Sequence, residues 1–222
     1  MQEMSSIFAK LGAVLTDSHF EYTEGGHGSA YFNKDAVYPH AAETSRLCGL
    51  IAREFIEDKV EVVIAPAVGG CILSNRVAEH LSMWNKSLSE PEVLGIYADK
   101  AGDGFVVRRG YDKLIPGKRV LVVEDALNTG GSARKLVAVV RALGGEVIGV
   151  GVLCNRGGVT AEDLGVHKLN ALLNIKLEVY NEADCPLCKA GVPINTNVGH
   201  GKEFPARGPD PAEKYPDPDY DL

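Results

Sequence analysis

The chain has 222 residues, 45% hydrophobic and 24% charged, a balance that excludes wholesale disorder, collagen and coiled coil. Acidic residues number 30 against 23 basic ones, a formal charge of -7, whereas a nucleic-acid binder would carry a basic excess. There is no apolar run of the ~18 residues that a membrane helix needs, and the opening MQEMSSIFAKLGAVL lacks the pattern of a secretory signal. Five scattered cysteines (48, 71, 154, 185 and 188) suit a reducing compartment, so the expectation is a cytoplasmic protein without nucleic-acid or membrane partners.

In chain order, Ile7, Phe8, Leu11, Val14 and Leu15 share a helical face and predict a helix over Ser5 to Leu15. Phe20 to Tyr38 reads as short strands and turns. A second helix is expected over Ala41 to Glu57, with Leu47, Leu50, Ile51 and Phe55 on one side. A repeating pattern follows: strand Val60–Ala65, helix Ile72–Trp84, strands Val93–Ala98 and Arg119–Glu124, helix Ala133–Leu143 and strand Val147–Leu153. Apolar runs separated by helices indicate parallel strands buried on both faces. In Ala171–Tyr180 the residues Leu173, Ile175, Leu177 and Val179 alternate with others, which predicts a strand with one wet face. From Pro205 the composition changes: 5 of the 11 prolines and a net charge of -3 fall in the last 18 residues, the expectation for a disordered tail.

The strongest chemical signal is Val120–Ser132, VLVVEDALNTGGS. An apolar strand runs into two carboxylates, Glu124 and Asp125, and a Thr-Gly-Gly-Ser loop opens a helix. Glycines let backbone N–H groups converge on an anion, and the helix N-terminus adds the positive end of its dipole. Thr129 and Ser132 can donate hydroxyl hydrogen bonds, and the carboxylates can accept them from a sugar diol. Such a loop holds a phosphate beside a ribose at the ligand edge of an open α/β sheet.

This stretch resembles the signature of the type I phosphoribosyltransferases, which transfer ribose 5-phosphate from 5-phosphoribosyl 1-pyrophosphate (PRPP) to a nitrogenous base. Gly28–Asp35 (GSAYFNKD), the block GFVVRRGYDKLIPGKRVLVVEDALNTGGSARK and CPLCKAGVP (Cys185–Pro193) are similar to the bacterial orotate phosphoribosyltransferases. The resemblance implies an α/β fold, a Rossmann-like parallel sheet flanked by helices with a small hood. Residues 1–204 would form one domain, the hood made from about 1–40 plus the C-terminal segment and the core from about 58–160; residues 205–222 would form the tail. It implies orotate and PRPP as substrates, Mg²⁺ as cofactor and a homodimer whose lid is shared across subunits.

The resemblance also assigns residues. Glu124, Asp125, Ala126, Leu127, Asn128, Thr129, Gly130, Gly131 and Ser132 would bind the ribose and 5'-phosphate. Val68, Gly69 and Gly70, in APAVGG, would bind pyrophosphate, although this loop lacks the lysine that many orotate enzymes carry there. Asp99–Lys118 reads as a hairpin or lid, and Lys100, Arg108 and Arg109 would be its catalytic cations. Arg156, at a strand's C-terminal end, would meet the orotate carboxylate. Ser29, Tyr31 and Phe32 complete the expected base site; the two rings suit either stacking on a base or core packing. A purine phosphoribosyltransferase, or a non-catalytic PRPP sensor, is the alternative reading. Cys185 and Cys188 form a lone CxxC, two ligands short of a zinc site. His200 is one candidate for a third ligand, and no protein side chain is assigned to a metal.

Overall fold

A computed structural model of the chain describes residues 2–22, 26–87, 91–175 and 178–198. In order they form α1 (Gln2–Lys10), β1 (Val14–Leu15), β2 (Phe20–Glu21), β3 (His27–Gly28), β4 (Tyr31–Phe32), α2 (Ala41–Glu54), β5 (Val62–Pro66), α3 (Gly70–Ser87), β6 (Leu94–Ala101), β7 (Gly104–Val106), β8 (Arg119–Leu127), α4 (Gly131–Ala142), β9 (Glu146–Asn155), β10 (Leu169–Asn174) and α5 (Pro186–Lys189). They make two compact units. One takes the residues up to Ile7 with 34–175, the other 8–33 and 178–198. The expected tail and His200 lie outside the described residues.

The first unit is built on a six-stranded sheet in the order β10-β9-β8-β5-β6-β7, parallel except for the edge strand β7. All five residues of β5 are buried, and so are nine of the ten in β9. Strands covered on both faces cannot alternate, which is why these segments are near-continuous apolar runs. From β5 the chain crosses through α3 to β6, and from β8 it crosses through α4 to β9. Right-handed crossovers leaving in opposite directions put α3 and α4 on opposite faces. Under α4, Leu136, Val137 and Val140 pack with Val62, Ile64, Val120, Val122, Val150 and Val152 in one cluster. Burying such a side chain contributes about 1.5–3 kcal/mol, so this layer is what holds the end of β8 in place. Because β5 and β8 are neighbours whose connections diverge, a crevice opens between their carboxyl ends.

The second unit is a small assembly of paired dipeptides. β1 pairs antiparallel with β4, and β2 with β3. Phe32 packs edge-on to Phe8, with ring centroids 5.5 Å apart. Isolated bridges join His19 to Ile194 and His27 to Tyr180, so the unit's two chain segments are laced together.

Two elements differ from the sequence expectation. The first helix ends at Lys10 rather than Leu15, because Gly12 turns the chain at φ +60°. Val14 and Leu15 then pair with Phe32 and Tyr31 as β1. The expected strand Ala171–Tyr180 is Leu169–Asn174 instead. Its last pair is Asn174 with Asn155, where β9 ends, and the Ile175 N–H still donates to the Asn155 carbonyl at 3.0 Å; residues 176 and 177 of the expected strand lie outside the described residues. Leu172, not Leu173, is the buried leucine, and Val179 is exposed.

Candidate active site

β8 continues three residues past the expected boundary, so Glu124 and Asp125 belong to the strand and leave it on opposite faces. Asp125 Oδ2 accepts a hydrogen bond from Lys34 Nζ at 2.9 Å and lies 3.4 Å from the Tyr38 hydroxyl, which donates to it. Burial and the Asp125 charge push the Tyr38 phenol well above its usual range, so it stays a donor. Glu124 has no such partner. Its Oε2 is buried and accepts no hydrogen bond among the described residues. Burial first, and the Asp125 charge second, raise its carboxyl to about 8. Two neighbouring carboxylates are thus held in different states: one charged and paired, the other inclined to keep its proton.

After Leu127 the chain turns through Asn128 and Thr129 to Gly130, the N-cap of α4, at φ +73°. A Cβ at this position would lie 2.9 Å from Leu164 Cδ2 and 3.0 Å from Val159 Cγ1, so the turn needs glycine for both its dihedral and its closeness. No side chain caps α4. Gly131 N–H has only a long contact, 3.4 Å, to Thr129 Oγ1, and Ser132 and Thr129 are exposed. The N–H groups of the first turn of a 12-residue helix therefore face outward beside the carboxylates. Arg134 braces the loop by donating to the Thr129 carbonyl at 2.8 Å.

The loop after β5 faces this one. Its Ala67–Val68 peptide is cis, and Val68 is 84% exposed. A Cβ on Gly69 would sit 3.4 Å from Asp125 Oδ2, and one on Gly70 would sit 2.7 Å from Ala65 Cβ. The second distance lets α3 start directly above its strand. The structure therefore brings Gly69 together with Asp125 across the crevice.

Arg156, half-buried, follows β9 at the same edge. Its backbone N–H donates to the Leu127 carbonyl at 2.9 Å. Asn155 positions it: the buried amide donates to the Val159 carbonyl at 2.8 Å and accepts from the Val159 N–H at 3.0 Å. Gly157 is in closest contact with the phosphate-type loop, since a Cβ there would fall 1.6 Å from the Asn128 carbonyl oxygen.

The expected lid is a hairpin of β6 and β7 in which Lys100 pairs with Phe105 and is exposed. Arg108 is exposed as well. Arg109 is engaged: its guanidinium bonds Asp99 and lies 5.4 Å from the centre of the Tyr97 ring. At the hairpin tip, Asp103 pairs with Lys135 of α4 at 2.7 Å. In the second unit Ser29 is exposed and Tyr31 is half-buried, its ring 5.6 Å from Phe20. Phe32 is 3% exposed and belongs to that unit's core. Tyr22 hydroxyl donates to the Ala30 carbonyl at 2.6 Å and steadies this segment.

Sequence reasoning missed Lys34, Tyr38, Asn155 and Gly157. The signals were local and slight: Lys34 sits inside the Gly28–Asp35 block and Gly157 in an Arg-Gly-Gly turn.

Residues 35–170 match the model of the phosphoribosyl transferase domain. The chain belongs to the phosphoribosyltransferase family. It is 40% identical over 192 residues to an orotate phosphoribosyltransferase of Desulforamulus reducens, covering 86% of this chain and 93% of that one. Its identity to the orotate phosphoribosyltransferase of Pelotomaculum thermopropionicum is 41% over 191 residues, with the same coverage of each. Among solved structures, an orotate phosphoribosyltransferase from Aeropyrum pernix shares the phosphoribosyltransferase fold with a TM-score of 0.57 at 24% identity, covering 77% of this chain and 93% of that one.

Proposed function

We propose that the chain transfers the 5-phosphoribosyl group of PRPP to orotate, giving orotidine 5'-monophosphate and pyrophosphate, a step of pyrimidine nucleotide synthesis. The observation that carries this is the convergence at the switch point of the sheet: Glu124 and Asp125, the uncapped start of α4, and the Gly69–Gly70 turn beside Asp125 Oδ2. The choice of orotate over a purine rests on the relatives at 40–41% identity.

In this reading the ribose hydroxyls donate to Glu124 and Asp125, and the Asp125 charge also favours a sugar with oxocarbenium character. The backbone from Ala126 to Ser132 takes the 5'-phosphate. Val68, Gly69 and Gly70 take the pyrophosphate through their amides. Breaking the C1'–O bond leaves negative charge on the departing pyrophosphate, and Lys100, with Arg108 and Arg109, is suited to neutralise it. Arg156 meets the orotate carboxylate. The roles of Ser29, Tyr31 and Phe32 at the base rest on the likeness of Gly28–Asp35.

Mg²⁺ fits this site, because the buried Glu124 Oε2 lacks a donor and both carboxylates offer hard oxygen ligands. Glu124 and Asp125 would hold it directly or through the sugar. When bound it supplies positive charge against the pyrophosphate. A homodimer is supported by Ile72, Met83 and Leu94, large apolar side chains exposed on α3 and β6; the sharing of its lid rests on the family likeness alone. A cytoplasmic location is supported by the free cysteines.

The test is incubation with PRPP, Mg²⁺ and a panel of bases, with pyrophosphate and nucleotide product followed together. Turnover with orotate alone is expected. Turnover with a purine base instead would replace the reading, and PRPP binding without turnover on any base would make the chain a sensor.

A further inference from the structure

The lone CxxC motif does not stay alone in the fold. Cys185 precedes α5 and Cys188 lies within it, while His19 stands before β2 and His27 on β3. Four ligand atoms from these residues lie within 4.8 Å of one another. His19 Nε2 is 3.0 Å from His27 Nδ1, 3.5 Å from Cys185 Sγ and 3.7 Å from Cys188 Sγ, and His27 Nδ1 is 3.1 Å from Cys188 Sγ. Zinc–sulfur bonds of about 2.3 Å and zinc–nitrogen bonds of about 2.0–2.1 Å, arranged tetrahedrally, require edges of about 3.3 Å (N···N), 3.5 Å (S···N) and 3.8 Å (S···S). The four observed distances fall within about 0.4 Å of those edges.

The proton arrangement agrees. His19 Nδ1 lies 2.8 Å from the Val192 carbonyl, which can only accept, so Nδ1 carries the proton and Nε2 presents a lone pair to the cluster. That carbonyl contact is the outer-sphere bond that fixes the tautomer of a metal-bound histidine. His19, His27 and Cys185 are 1%, 3% and 0% exposed, and both cysteines are free thiols. Soft sulfur donors with imidazoles select zinc among common divalent ions, and four protein ligands leave no open position for substrate.

We propose that His19 Nε2, His27 Nδ1, Cys185 Sγ and Cys188 Sγ form a structural zinc site within the second unit. The ion bridges a β-hairpin to a helical turn 158–169 residues further along the chain. Loading it displaces the two thiol protons to solvent and requires no oxidant.

The experiment is metal analysis of the full-length chain, expressed in zinc-supplemented medium and purified without chelator. One zinc per chain is expected, with Cys185 and Cys188 becoming open to alkylation only once a chelator is added, while Cys48 and Cys154 stay buried in either state. Cobalt(II) exchanged into the site should give the intense visible bands of tetrahedral cobalt and a thiolate charge-transfer band. Cys185→Ser and His27→Ala should lose the zinc, while Cys48→Ser keeps it. If those variants do not fold, the wild-type zinc content and cobalt spectrum decide. Wild-type protein that neither retains zinc nor competes for it against a chromophoric chelator overturns the proposal. So does full zinc in the Cys185→Ser or His27→Ala variant, or a Cys185–Cys188 disulfide in freshly prepared protein.

Discussion

Glu124→Gln isolates the cost of placing a carboxyl where its charge is poorly solvated. In the folded chain this group titrates near 8, against an ordinary value of 4.5. The unfolded chain therefore releases the proton first. The stabilising contribution is complete below pH 4.5 and is lost as pH rises through 8. Each pKa unit is worth 1.36 kcal/mol, so the whole loss is about 5 kcal/mol. Glutamine has the same shape and does not titrate. The stability of the variant relative to wild type should then grow by about 3 kcal/mol between pH 5 and 7.5, at a slope approaching 1.4 kcal/mol per unit. Any fixed cost of the new amide shifts the whole difference without changing its slope. Urea unfolding followed by the fluorescence of Trp84, the one tryptophan, at several pH values measures it. A stability difference that stays constant across this range refutes the reasoning, because it would mean that the Glu124 carboxyl ionises in the folded chain as it does in water.

Gly157→Ala places a methyl 1.6 Å from the Asn128 carbonyl oxygen. Moving that backbone should cost about 3 kcal/mol of stability and weaken PRPP binding, as calorimetry would show; an unaltered affinity would uncouple this turn from the phosphate loop. Asp125→Asn keeps the shape but loses the charge that Lys34 and the sugar share. PRPP affinity should fall by about 1.5–3 kcal/mol, roughly 10- to 150-fold, and titration calorimetry at wild-type strength would remove Asp125 from the ribose site. Lys100→Ala should lower turnover far more than PRPP affinity, and a steady-state assay with unchanged kcat would exclude it as a catalytic cation. Mixed under conditions that let subunits exchange, the Lys100→Ala and Asp125→Asn proteins should recover about a quarter of wild-type activity. Half the dimers are then hybrids, each with one intact site if the lid is shared; no recovery, despite proven exchange, would confine the lid to its own subunit.

The central strands were readable because burial on both faces leaves a plain apolar run, as in Val62–Ala65 and Val120–Val123. The phosphate-type loop was readable because strand, carboxylates, glycines and helix lie within 13 consecutive residues. Pairing that depends on a distant neighbour was not. Val14 and Leu15 fit a helical face as well as a strand, and only Tyr31 and Phe32 decide between them. The same limit hid Lys34, which reaches Asp125 across 91 residues of chain. It also hid His19 and His27, whose partners are brought to them by the bridges at Ile194 and Tyr180.

The second unit is assembled from two stretches that lie on either side of residues 34–175 in the chain, and this orders events during synthesis. Residues 34–175 can complete their sheet as soon as they have left the ribosome, since every strand of that sheet lies among them. The hairpin carrying His19 and His27 is made earlier, yet it must wait for Cys185 and Cys188. At about 5–20 residues per second, the hairpin is exposed for some ten seconds or more before they emerge. The buried rings of this N-terminal stretch, Phe20 and Phe32 among them, lack the C-terminal half of their unit for that interval. Translation speed and chaperone supply should therefore matter more to this small unit than to the larger sheet it follows.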